Sequence, residues 1–88
     1  MIESIKNHPD AWPFANPVDE EYAPNYYKVI EEPMDLQSME DKLDNQQYTS
    51  FDEFKSDFER IGENCRKYNG PSSGNFKRFV HFLEYHYT

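Results

Sequence analysis

Eighty-eight residues with seventeen acids, nine bases and a net charge of −8 suffice for one domain around a small core. A negative field of this kind opposes non-specific binding to a phosphate backbone, and a single cysteine, Cys65, excludes an internal disulfide. No run of about 18 apolar residues is present to span a membrane, and the first residues lack the apolar core of a secretory signal.

Ile2 and Ile5, ahead of His8-Pro9, predict a short first helix over 2–8. The next stretch, WPFANPVDEEYAPNYYKVIEEPMD (12–35), can be neither one helix nor one strand. Five of the six prolines (Pro9, Pro13, Pro17, Pro24 and Pro33) fall in or beside it, each fixing φ and removing a backbone donor. Yet it holds Trp12, Phe14, Val18, Tyr22, Tyr26, Tyr27, Val29, Ile30 and Met34, which a flexible linker would lack. An ordered loop of this length in a small domain points to function.

Beyond it, Leu36, Met39 and Leu43 space a helix over 36–45, with Asp35 as its N-cap. Phe51, Phe54, Phe58, Ile61, Cys65 and Tyr68 recur every three or four residues, the stripe of a helix over 51–69 with one buried face. Ser50 with Glu53 three residues on is a capping box at its start, and Asn69-Gly70-Pro71 ends it. Phe76, Phe79, Val80, Leu83 and Tyr87 predict a last helix over 75–87. No segment alternates as a strand. The expected fold is all-α: a single-domain four-helix bundle over residues 1–88, with a long loop after the first helix and with short first and last helices.

The acids are concentrated: residues 1–44 hold eleven against three lysines, whereas residues 45–88 are neutral. Placed on and around the long loop, they favour a basic partner over nucleic acid. Catalysis finds little support. Cys65 lies on an apolar stripe, where a thiol is a small hydrophobe. His81 and His86, five residues apart, do not stack on one helical face, and with Cys65 they make no paired zinc motif. No metal or cofactor is expected. A pocket is better motivated, because the long loop and Asn69–Gly74 lie at one end of the bundle. Asn69 either donates into that pocket or merely terminates its helix; Trp12, Phe14 and Tyr26-Tyr27 either line it or pack in the core.

At these residues the chain resembles the bromodomain family. The resemblance is carried by Trp12-Pro13-Phe14, Pro17-Val18, Ala23-Pro24-x-Tyr26-Tyr27, Ile30-x-x-Pro33-Met34-Asp35 and Asn64-Cys65-Arg66-Lys67-Tyr68-Asn69. It runs from about Ile2 to Leu83 and is nearest in style to bromodomains of chromatin-remodelling subunits and histone acetyltransferases. It implies a left-handed four-helix bundle that reads acetylated lysine in histone tails, without catalysis and in the nucleus. The long loop would then be one wall of the pocket, stiffened by prolines and made apolar by aromatics.

By the same resemblance, Asn69 would donate its amide hydrogen to the acetyl carbonyl, and Tyr26 would hold that oxygen through an ordered water. Phe14 and Val18 would surround the methyl group, Trp12 and Pro13 would form a shelf along the lysine stem, and Tyr68 and Cys65 would line the back wall. Registering Leu83-Glu84 with the family's last helix favours Phe76 as the aromatic at the mouth, with Asn75 the other candidate, since this chain has one residue more between Asn69 and that aromatic. The expected partner is an acetylated, basic histone-tail peptide bound by a monomer, with no direct nucleic acid or membrane contact. The rival reading is a docking module of the same fold whose pocket has degenerated.

Overall fold

The computed structural model describes residues 6–9 and 11–87, with side chains as far as His81. Among the described residues a 3-10 turn, Trp12–Phe14, is followed by four helices: α1 (Tyr26–Val29), α2 (Leu36–Asp44), α3 (Phe51–Asn69) and α4 (Gly74–Tyr87). No strand occurs among the described residues. The expected helix over 2–8 falls largely outside them. The last three helices lie where apolar spacing puts them, within a residue at either end. The one-turn α1 is not foreshadowed by spacing, for it is too short to show a period. Asn25 makes it, adopting a left-handed φ of 62° that turns the chain after Pro24.

Local chemistry fixes the helix starts. Asp35 accepts hydrogen bonds from the Ser38 backbone N–H at 2.8 Å and the Ser38 hydroxyl at 2.6 Å, closing the open end of α2. Ser50 Oγ accepts from Glu53 N–H at 3.3 Å. Glu53 reaches back one residue further than in a standard capping box, taking the Thr49 N–H at 2.9 Å and its hydroxyl at 2.8 Å. Those two bonds hold the Glu53 carboxyl below the usual range.

The predicted stripe of α3 becomes the core. Phe54, Phe58, Ile61 and Cys65 are buried together with Leu36 and Met39 of α2, Phe79 of α4, and Ala11 and Phe14 of the loop. Phe79 joins the layers, its ring 5.2 Å from Phe14 and 5.7 Å from Phe58. α4 approaches so closely because Gly62 presents no side chain; a β-carbon there would collide with the Phe79 ring.

One buried charge ties α2 to α3. Asp57, only 4% exposed, accepts from Lys42 Nζ at 2.6 Å, Tyr48 OH at 2.7 Å and Arg60 Nη1 at 3.1 Å. Burial alone would raise its carboxyl pKa, but the bonds from Lys42 and Tyr48 and the charges of Lys42 and Arg60 outweigh it and hold the group low. Desolvation and the bond to Asp57 push the Tyr48 phenol up.

Candidate functional site

A proline-rich loop has no ladder to satisfy its carbonyls, so side chains must order it. Three do. Tyr68 OH donates to the Pro24 carbonyl at 2.7 Å, Asn64 Nδ2 to the Glu32 carbonyl at 2.8 Å and Tyr27 OH to the Val18 carbonyl at 2.6 Å. The backbone adds Gln37 N–H to the Ala15 carbonyl at 2.9 Å. Phe14 sinks into the core and pins the loop's first turn. The loop therefore stands off α3 as a fixed wall.

Between that wall and the C-terminal end of α3 lies a cleft of about 540 Å³. Trp12, Pro13, Phe14, Val18, Tyr26, Cys65, Tyr68 and Asn69 all line it, so eight of the nine residues singled out in the sequence meet at one place. Phe76 does not. It packs partly buried against the core and faces a separate groove beside Gly62, Phe79 and Val80. Asn75 lies on the cleft instead. α4 begins at Gly74, so consecutive residues 75 and 76 point about 100° apart, and that rotation sets Asn75 toward the cleft and Phe76 toward the core and the separate groove.

Other lining residues escaped the sequence reading. Ile61 is one turn before Cys65 on the same stripe, a spacing that could have revealed it. Met34, Asn16, Asp19 and Tyr22 belong to aperiodic loop, where no such signal exists.

Tyr26 is the most enclosed polar wall, at 6% exposure, with its ring 5.0 Å from Tyr68 and 5.3 Å from Tyr27. Desolvation, then its neighbours Tyr27, Cys65, Asp35 and Tyr68, push its phenol up to about 12, so it is a neutral O–H at physiological pH. That hydroxyl finds no protein partner among the described residues, which leaves it able to bond a water or ligand in the cleft.

Asn69 is the last residue of α3, and Gly70, at φ 91°, is the residue that breaks the helix. Asn69 as a whole is exposed, but its amide nitrogen turns toward Cys65 Sγ at 3.7 Å, a weak contact that leaves donor capacity unused. Burial raises the Cys65 thiol pKa, the opposite of what a nucleophile needs. Trp12 is 66% exposed at the rim, with the Arg78 guanidinium carbon 5.1 Å from its ring centroid. No group of three or more potential metal ligands occurs among the described residues. The arrangement suits binding a neutral, partly apolar chain end carrying one acceptor.

The bromodomain family model matches residues 1–80. The chain is a bromodomain. Over 77 residues it is 51% identical to "Histone acetyltransferase GCN5" of Debaryomyces hansenii, a match covering 88% of this chain and 17% of that protein. Over 88 residues it is 46% identical to "Nucleosome-remodeling factor subunit NURF301" of Drosophila melanogaster, covering 100% of this chain and 3% of the relative. The bromodomain thus spans less than a fifth of either relative's length. Two solved structures share its fold: the bromodomain of human BAZ1A, at TM-score 0.89 and 27% identity, and CpBRD2 from cryptosporidium, at TM-score 0.91 and 34% identity. Each comparison covers 96% of this chain and 78% of the other. The fold is the left-handed helical bundle of that family, and it is a binding module rather than a catalytic one.

Proposed function

We propose that this bromodomain binds acetylated lysine of histone tails in the cleft between the loop and α3, as a nuclear, monomeric reader that makes no direct contact with nucleic acid. The observation that carries the reading is that Asn69's under-used amide and Tyr26's hydroxyl, which has no protein partner among the described residues, line one cleft with Trp12, Pro13, Phe14, Val18 and Cys65. Acetylation turns an ammonium with three donors into a neutral amide with a carbonyl acceptor. Asn69 donates to that carbonyl, and Tyr26 reaches it through water. Phe14 and Val18 hold the methyl group, while Trp12 and Pro13 flank the lysine stem and Tyr68 and Cys65 back the slot. Asn75, the other candidate beside Phe76, takes the place at the mouth that registering Leu83-Glu84 with the family's last helix favours for Phe76. An unmodified ammonium would enter a slot with too few acceptors and lose its hydration, which is the basis of discrimination.

A direct hydrogen bond nets about 0.5–1.5 kcal/mol and a buried methylene about 0.8 kcal/mol. After the cost of association, affinity falls on the order of micromolar to millimolar. Titration of acetylated and unmodified histone-tail peptides, followed by amide chemical shifts, tests the reading. Acetylated peptide should bind and move resonances lining the cleft; equal or absent shifts with both would overturn it. Asn69→Ala separates the reader from a docking module of the same fold, which would be indifferent to the change.

A further inference from the structure

We infer that Asn69 is a site of spontaneous deamidation, so that the bromodomain carries in its own backbone a reaction that inactivates its pocket. The inference about function rests on the acetyl-lysine reading above; the chemistry does not. Asn69 is followed by Gly70, and none of the other asparagines (Asn7, Asn16, Asn25, Asn45, Asn64 and Asn75) precedes a glycine. In this reaction the backbone nitrogen of the following residue, on losing its proton, attacks the asparagine Cγ. A C–N bond forms, the Cγ–Nδ2 bond breaks and ammonia leaves, giving a five-membered succinimide. Water opens that ring at either carbonyl, to aspartate or isoaspartate. No oxidant or reductant is involved. Glycine is the permissive neighbour because it has no side chain to crowd the attacking nitrogen.

Local structure leaves one obstacle. Helical backbone suppresses ring closure, and Asn69 is helical, but it is the last residue of α3, where the ladder ends. The attacking Gly70 nitrogen is held by one hydrogen bond, to the Arg66 carbonyl at 2.8 Å. Fraying of a single terminal turn frees it. Asn69 is exposed to the water that completes the reaction, its amide is held, among the described residues, only by the 3.7 Å sulfur contact, and nothing lies within 4 Å of where a Gly70 side chain would be. Asn64 and Asn75, by contrast, precede Cys65 and Phe76, whose side chains hinder attack.

The functional consequence follows from hydrogen-bond chemistry. An amide that donates becomes a carboxylate that only accepts and is negative, facing the acetyl oxygen it formerly bound. Isoaspartate would also add a carbon to the backbone at the end of α3.

The experiment ages the purified protein in mildly alkaline buffer, beside Gly70→Ala. Peptide mass mapping and methylation by isoaspartyl methyltransferase locate the product, and melting curves confirm that both proteins stay folded. The expected result is the mass change of amide to acid confined to Asn69, faster at higher pH and strongly slowed in Gly70→Ala. Because Gly70 sits at a φ of 91° that strains any side chain, a second arm uses the unmutated protein alone, comparing Asn69 with Asn64 and Asn75 in the same sample. Conversion of those asparagines at the same rate, or none at Asn69, overturns the inference. Aliquots are also titrated with an acetylated histone-tail peptide. Binding capacity should fall in step with conversion. Conversion without loss of binding would count against the acetyl-lysine reading while leaving the chemistry standing; sustained binding with no conversion would do the reverse.

Discussion

Gly62 and Tyr26 show how single positions divide between holding the bundle and using it. Gly62 is buried where α3 meets α4, and even a methyl group would run into the Phe79 ring. Gly62→Ala should therefore destabilise the domain by about 1–3 kcal/mol despite the higher helix propensity of alanine, read as a lower thermal midpoint. A midpoint unchanged or raised would mean that α4 can retreat without loss. Tyr26 is the reverse case. Its ring packs on Tyr27 and Tyr68, while its hydroxyl has no protein partner among the described residues. Tyr26→Phe keeps the ring, so stability should hold while affinity for acetylated peptide drops several-fold; calorimetry on both observables separates them. Asn69 sits between these cases, since Gly70 and not Asn69 carries the positive φ that ends α3. Its side chain is therefore free of a capping duty.

At the scale of elements, α2 and α3 are joined through Asp57, which draws on Lys42 of α2, Tyr48 of the turn and Arg60 of its own helix. Its carboxyl pKa is lowered in the folded state. A depressed carboxylate stabilises the fold fully above its unfolded value of about 3.9, and that contribution is lost as pH falls through the lower folded value. Asp57→Asn should be less stable than the parent at neutral pH, and its stability should decline less steeply on acidification below about pH 4. Parallel acid limbs in denaturant titrations would contradict this. Apolar periodicity and capping residues located α2, α3 and α4, because those signals are local. Asp57 was invisible: it reads as one more solvated acid on a helix, and only the packing of α2 brings Lys42 and Tyr48 to it. The one-turn α1 escaped for the related reason that four residues cannot display a period.

Across the whole molecule, charge is segregated. Of the acids in residues 1–44, Asp19, Glu20, Glu21, Glu31, Glu32 and Asp35 belong to the loop, and Asp19 borders the cleft itself. Basic tails should be drawn to that side, mainly through faster association, with a contribution that weakens as salt rises. Affinity for a lysine-rich acetylated peptide should thus fall between low and moderately high ionic strength, while a neutral acetyl-lysine mimic should be nearly indifferent. Equal salt slopes for the two would remove the acidic loop from the account. Most of the cleft could be anticipated because its walls belong to motifs of fixed order, Trp12-Pro13-Phe14 at one side and Cys65 to Asn69 at the other. Its mouth could not. Whether Asn75 or Phe76 faces inward depends on the residue at which α4 starts, and one added residue in the preceding loop rotates that choice by about 100°.

Whether the Asn69 amide reads acetyl-lysine is tested by calorimetry of the parent protein and Asn69→Ala against one histone-tail peptide in acetylated and unmodified forms. Measurable binding is expected only for the parent with the acetylated peptide, with a loss of about 1–3 kcal/mol in the variant and little change in its melting temperature. Equal binding of both peptides, or full binding by a well-folded Asn69→Ala, would contradict that expectation.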